Sequence, residues 1–215
     1  PIISSLVLAY VLGSIPTAVW IGKAFYNVDV REYGSGNAGA TNTFRVLGKK
    51  AGIPVLIIDA FKGFAAVSLV HLFAEEPIST EAFVNYQLGL GIAAVVGHIF
   101  PLFAGFRGGK GIATLLGLML GIHPEGAALA LFVFLLVFAL TRFVSLGSMT
   151  AAISFPFLIV LVFQATVPSL IIFSMFVAIL VLVTHQKNIE RLVRREENKA
   201  NISIKNLIRQ AGEDE

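Results

Sequence analysis

Three polar segments interrupt an otherwise apolar chain, and their residue types suit phosphate chemistry. The first is Gly34-Ser35-Gly36-Asn37-Ala38-Gly39-Ala40-Thr41-Asn42-Thr43-Phe44-Arg45. Glycine permits positive φ and lets the backbone approach a ligand closely. Successive backbone N–H groups in such a loop form a concavity that binds anions. Arg45 adds a planar, permanently charged fork that fits phosphate. The spacing matches neither G-x-G-x-x-G nor G-x-x-x-x-G-K-[ST], so the loop carries no nucleotide fingerprint. Taken alone, it reads equally as a phosphate clamp or as a flexible polar linker between two membrane helices.

The second segment runs from Gly97 to Thr114 and holds His98, Arg107, Gly108, Gly109 and Lys110, a second glycine-rich anion site with its cations built in. The third is Thr184-His185-Gln186-Lys187-Asn188-Ile189-Glu190-Arg191-Leu192. On a helix, His185, Asn188 and Arg191 would fall at i, i+3 and i+6 on one face. Each segment also has a plainer reading. His98 could cap a helix end, the glycines could serve helix packing, and the basic residues after Arg191 could anchor the chain at the membrane surface. The chain has no cysteine, which excludes disulfides, Cys-ligated metals and a thioester intermediate. His98 and His185 lack an evident third metal ligand, so neither a metal nor another cofactor is expected.

The elements that must position these residues are membrane helices. The chain has 215 residues, 56% hydrophobic and only 13% charged. Soluble domains carry about 25% charge. Several segments of about 20 residues run almost free of charge, as in a polytopic membrane protein. Spans are expected at 2–22, 51–73, 83–103, 112–123, 127–143, 145–163 and 167–184. The first contains Gly13-Ser14-Ile15-Pro16, which suggests a kink or close helix packing. The second carries Asp59 and Lys62 on one face, as an intramembrane ion pair or as part of a site. The third holds Gly89, Gly91 and Gly97, small residues that let helices approach.

Charge placement tests the count. With seven spans, all 16 Lys and Arg fall on one side or, for Lys62, inside a span, while the other side holds only Glu75, Glu76, Glu81 and Glu125. By the positive-inside rule the basic side is cytoplasmic. The expected fold class is therefore all-α integral membrane, with seven transmembrane helices, the N-terminus outside and the C-terminus cytoplasmic. Residues 1–195 form the membrane domain and 196–215 a charged cytoplasmic tail. All three polar segments then share one membrane face. Arg45, Lys110, Arg107 and Arg191 would converge there with Ser35, Gly36, Asn37, Thr41, Asn42, His98, His185 and Asn188.

At these residues the chain resembles the bacterial acyl-phosphate:glycerol-3-phosphate acyltransferase (PlsY) family. The carrying motifs are GSGNAGATNTFR at 34–45, GHIFPLFAGFRGGKGIAT at 97–114 and THQKNIERL at 184–192, with D-x-x-K-G at 59–63 and LGSIPTA at 12–18. The resemblance implies a seven-span bacterial inner-membrane enzyme with its site facing the cytoplasm. It would move a fatty acyl group from acyl phosphate to the sn-1 hydroxyl of glycerol 3-phosphate, giving lysophosphatidic acid and phosphate, the first step of phospholipid synthesis. Expected partners are these two substrates, the lipid bilayer and the enzyme that forms the acyl phosphate; no nucleic acid is expected.

Ser35, Arg45, Lys110 and His185 are the expected catalytic residues. Gly36, Asn37, Thr41, Asn42, His98, Arg107, Gly108, Gly109, Asn188 and Arg191 are the expected substrate and phosphate binders. The attacking hydroxyl's proton would go either to His185 or to a phosphate oxygen of the donor. Other glycerolipid acyltransferases use His-x-x-x-x-Asp, whereas here Glu190 follows His185 and Phe103 follows His98 at that spacing. A CoA-dependent enzyme of that type is thus disfavoured. The rival class is a transporter of a phosphorylated metabolite, against which stand the absence of an inverted repeat and the placement of all basic motifs on one face.

Overall fold

A computed structural model of the chain describes residues 1–74 and 78–200. Glu75 and Glu76, and the tail from 201 onward, lie outside the described residues. All regular structure among the described residues is helical.

Helix α1 (Ile2–Gly13) and α2 (Thr17–Tyr26) meet at a bend of 40°. Pro16 causes the break, because it lacks an N–H and disfavours a helical residue before it. A short helix α3 (Ala40–Leu47) follows the first polar loop. Next come α4 (Lys49–Ser68) and α5 (Val70–Phe73), which together make a 25-residue apolar stretch. Helix α6 (Thr80–Ile99) starts at Ser79, whose side chain accepts the Ala82 N–H at 3.2 Å, a regular N-cap.

Helix α7 (Ile112–Ile122) has 11 residues. At about 1.5 Å per residue it is roughly 16 Å long, about half the hydrocarbon thickness of a bilayer. Then α8 (Pro124–Thr141) is opened by Pro124 and by the His123 Nδ1 cap on the Gly126 N–H at 3.0 Å. Helix α9 (Val144–Phe157) runs on into a wide turn, Leu158–Val162. Helix α10 (Pro168–Thr184) and α11 (Gln186–Val193) are bent by 62° at His185. Among the described residues, four helices are long and apolar enough to cross a membrane, six if each bent pair counts as one crossing.

Two helix pairs touch backbone to backbone. A Cβ on Gly13 would lie 2.0 Å from the Ala94 carbonyl oxygen, and one on Gly97 would lie 2.3 Å from that of Tyr10, which locks α1 to α6. A Cβ on Gly117 would lie 1.7 Å from the Ala60 carbonyl oxygen, and one on Gly63 would lie 2.2 Å from that of Thr114, which locks α4 to α7. Lipid tails are as apolar as leucine, so such close packing, rather than water exclusion, holds helices together in a bilayer. Large apolar side chains accordingly face outward, among them Phe61, Leu72, Phe132, Leu140 and Ile172. Inside, Val67, Leu118, Phe155, Ile159, Phe173 and Val181 share one packed cluster.

Candidate functional site

The first polar loop is built around Asn42. Its Oδ1 accepts the Ser35 N–H at 2.8 Å, and its Nδ2 donates to the carbonyls of Val30 at 2.7 Å and Tyr33 at 3.1 Å. Asn42 is buried, so its amide shapes the loop from within. Gly34 has φ +61° and a Cβ there would meet Asn42 Oδ1 at 2.4 Å, which restricts the position to glycine. Ser35, Gly36, Thr41 and Arg45 face outward, and Asn37 is half-buried.

Upstream, Arg31 forks onto Asp29 at 2.9 and 2.7 Å and also donates to the Ala104 carbonyl at 2.7 Å. That arginine ties the first loop to the second. Its hydrogen bond to Asp29, aided by Lys23, holds the Asp29 carboxyl well below the usual carboxylate range against the opposing effect of burial.

The second segment folds back on the end of α6. The N–H groups of Gly108 and Gly109 donate to the carbonyls of Ile99 and His98, each at 3.1 Å, and the Gly108 carbonyl accepts the Ala38 N–H at 3.4 Å. A Cβ on Gly109 would lie 2.2 Å from His98 Nε2. The buried His98 ring therefore underlies this turn, and its Nδ1 lies 3.1 Å from Thr114 Oγ1. Lys110 follows directly, while Arg107 is exposed at the rim.

Lys110 Nζ donates to Asn188 Oδ1. Burial pushes the Lys110 ammonium down to about 8; Arg191 and Arg45 press in the same direction and Glu197 opposes them. These three charges are thus the electrostatic surroundings of Lys110. The sequence placed His185 inside one helix with Asn188 and Arg191. It stands instead at the 62° break. The apolar α10 ends at Thr184, and the polar α11 turns away from its line, so His185 falls at the boundary between them. His185 is buried, and its Nδ1 donates to the Val181 carbonyl at 2.8 Å, since a carbonyl can only accept. The ring's Nε2 therefore keeps its lone pair.

Two residues that the sequence reading did not single out complete the cluster. Glu197 Oε1 accepts from Asn188 Nδ2 at 2.6 Å and from Ser145 Oγ at 2.7 Å, while Oε2 accepts from Arg191 Nε at 2.9 Å. Burial raises this carboxyl, but the three donors outweigh it and hold it below its ordinary value. The chain after α11 is held against the α8–α9 junction by the Ala200 N–H, which donates to the Arg142 carbonyl at 2.9 Å. The only sequence signal for Glu197 is a carboxylate beside Arg191, Arg194 and Arg195, which reads as surface charge.

An apolar cavity of about 90 Å³ lies between α6, α7 and α10, lined by Ile92, Ile99, Leu115, Phe173, Val177 and Leu180 among others. Ile99 is next to His98, and Leu180 is about a turn and a half before His185. The cavity thus lies between the same helices, α6 and α10, whose ends carry His98 and His185. The arrangement can hold a phosphate among Lys110, Arg45 and Arg191, with an apolar chain running from it between the helices.

Comparison with known proteins gives the same direction. The family model described as glycerol-3-phosphate acyltransferase matches residues 3–195. A protein of that name from Chlorobaculum tepidum is 41% identical over 225 residues, covering 94% of this chain and 97% of its own. One from Chlorobaculum parvum is 42% identical over 216 residues, covering 89% and 93%. Two crystal structures of PlsY, described as an integral membrane glycerol 3-phosphate acyltransferase, match at 36% identity. The glycerol 3-phosphate form has a TM-score of 0.82 over 93% of this chain and 96% of that one. The lysophosphatidic acid form has a TM-score of 0.77 over 92% and 94%.

Proposed function

The chain belongs to the glycerol-3-phosphate acyltransferase family, and we propose that its acyl donor is an acyl phosphate. It is an acyltransferase and a multi-pass bacterial membrane protein. The observation that carries the donor assignment is a cationic phosphate cluster at the ends of helices that also enclose an apolar cavity. An acyl phosphate has this shape, a phosphate joined to a hydrocarbon chain. It is also already activated, so no covalent enzyme intermediate is required, and the chain has no cysteine to form a thioester.

The sn-1 hydroxyl oxygen of glycerol 3-phosphate attacks the acyl carbonyl carbon. The new ester C–O bond forms as the C–O bond to phosphate breaks, and inorganic phosphate leaves. Lys110 and Arg45 hold the phosphates and stabilise the charge gathering on the leaving group. Arg107 and Arg191 add to the same field. Ser35, Gly36, Asn37 and Thr41 line the open side of the first loop and orient the substrates. Asn42, His98, Gly108 and Gly109 shape the two loops, and Asn188 holds the Lys110 ammonium.

The hydroxyl proton passes to a phosphate oxygen of the donor. His185 Nε2 has a lone pair to offer, but the ring is buried, and once protonated it would stand as a second cation beside Lys110. His185→Ala is therefore expected to keep turnover within about tenfold of wild type, read as the initial rate of phosphate release. General-base catalysis contributes about 10²–10⁴-fold; a loss of that size would assign the proton to His185.

The Lys110 value also sets a pH dependence. A lysine whose titration is lowered by burial is cationic below about pH 8 and loses its charge above it. Acyl transfer is expected to fall as pH rises through 8. In Glu197→Gln the opposing carboxylate charge is gone, so this alkaline limb should move to lower pH. A pH–rate profile of kcat/KM for both proteins checks the pair.

We further assign seven crossings, with α7 making the short fourth one and the glycine turn before it on the side of the site. The basic side, which carries the site, faces the cytoplasm, the N-terminus is outside, and the membrane is the inner one. The partner on that side is the enzyme that forms the acyl phosphate. The donor assignment is tested by offering palmitoyl phosphate or palmitoyl-CoA with glycerol 3-phosphate to purified protein in detergent. Lysophosphatidic acid is expected from the first alone; formation from palmitoyl-CoA alone would overturn it.

A further inference from the structure

We propose that the buried Asp59–Lys62 pair is a positioning pair for acyl transfer, joining the break between α1 and α2 to His98 and through it to the turn that presents Lys110. The inference rests on the reading of Lys110 given above.

The two side chains are 2% and 4% exposed and lie 2.9 Å apart on α4, within the 25-residue apolar stretch. Buried ion pairs seldom stabilise a fold more than apolar side chains of the same volume would. Ionisable groups at membrane depth are costly and usually have a task. The contacts across α4–α7 and α1–α6 already hold these helices through glycine, without any charge.

Each member of the pair reaches a second element. Lys62 Nζ donates to the Ile15 carbonyl at 2.9 Å. That carbonyl precedes Pro16 at the break between α1 and α2, where it also accepts the Thr17 N–H at 3.0 Å, so Lys62 adds a second donor to a turn that already pairs its own backbone. Asp59 Oδ1 accepts from Thr17 Oγ1, the first residue of α2, at 3.0 Å. The same oxygen lies 3.8 Å from His98 Nδ1. His98 touches Thr114 on α7 at 3.1 Å, packs beneath Gly109 and accepts the Gly109 N–H on its own carbonyl. Lys110 is the next residue. A chain of polar contacts, hydrogen-bonded except at the 3.8 Å step from Asp59 to His98, therefore runs from the broken span to the turn that carries Lys110.

The test is the double variant Asp59→Leu/Lys62→Met, purified in detergent beside wild type and Lys110→Ala. Removing both charges leaves no unpaired ion, so the protein should fold and melt near the wild-type Tm. The expected result is a kcat lowered by about 10²-fold, the cost of misplacing a catalytic group by roughly an ångström, with KM for glycerol 3-phosphate little changed. A folded double variant with wild-type kcat would overturn the proposal. Should the double variant not fold, Thr17→Val removes one hydrogen bond into Asp59 and leaves both charges in place. A several-fold fall in its kcat at unchanged Tm supports the proposal, and an unchanged kcat overturns it. Lys110→Ala separates the two levels: if it stays active, the site reading itself fails, whereas an inactive Lys110→Ala beside a fully active double variant defeats only the positioning role.

Discussion

Lys110→Ala is expected to slow acyl transfer by about 10²–10³-fold, the usual loss on removing one preorganised group that meets developing charge. Its Nζ is held by Asn188, which is itself held by Glu197, so the ammonium is fixed before any substrate arrives. A preorganised cation needs no reorganisation as charge builds on the departing phosphate. The neighbouring Arg45 and Arg191 cannot replace it, because Arg191 is engaged by Glu197 at 2.9 Å and Arg45 stands on another element, α3. The variant should fold, since the change removes a half-buried cation whose charge burial already disfavours. Single-turnover phosphate release at saturating donor checks the loss. A fall of less than about tenfold would remove Lys110 from the reacting phosphate, because even one lost donor of this type costs more.

Gly117→Leu is expected to abolish folded, active protein. A Cβ at this position would sit 1.7 Å from the Ala60 carbonyl oxygen, and that carbonyl belongs to the interior of α4 and cannot rotate aside. The helices must separate, and α7 has only 11 residues with which to hold its place. Its first turn follows directly on Lys110, so displacement reaches the site. Even Gly117→Ala should cost about 1–3 kcal/mol or more, the range for overpacking a tight contact. Gly89→Ala is the control: its nearest neighbour would be Leu6 Cδ2 at 3.7 Å, an ordinary contact. Thermal unfolding in detergent and recovery by size-exclusion chromatography measure both. A monodisperse Gly117→Leu protein with wild-type turnover would refute the α4–α7 packing described here.

How far the sequence reaches depends on what each residue contacts. The kink at Gly13–Pro16 was legible because proline acts on its own backbone, and the bend of 40° lies there. Glycine at 97 was legible as a contact residue, yet Gly89 in the same helix makes no close contact, since spacing alone does not say which face meets a neighbour. The break at His185 carries no proline or glycine and was read as continuous helix.

The site divides in the same way. Lys110 and Asn188 were expected together, and they meet. Asn42 was expected to face a substrate, whereas its amide is turned into its own loop, a choice made by the Val30 and Tyr33 carbonyls rather than by residue type. Glu197 and Ser145 lie 52 positions apart and meet only because the chain after α11 returns to the α8–α9 junction. No local pattern encodes that return. Likewise, the apolar cavity is shared by three helices distant in sequence, each of which looks like any membrane helix on its own.

The most direct measurement is the release of inorganic phosphate from palmitoyl phosphate by purified protein in detergent, with and without glycerol 3-phosphate, and with lysophosphatidic acid quantified in parallel. Detergent removes any compartment, so transport cannot contribute. The account predicts release only when the acceptor is present, with one lysophosphatidic acid formed for each phosphate. Release without acceptor would make the protein a hydrolase of acyl phosphates, and no release from folded protein would contradict the acyl-phosphate donor.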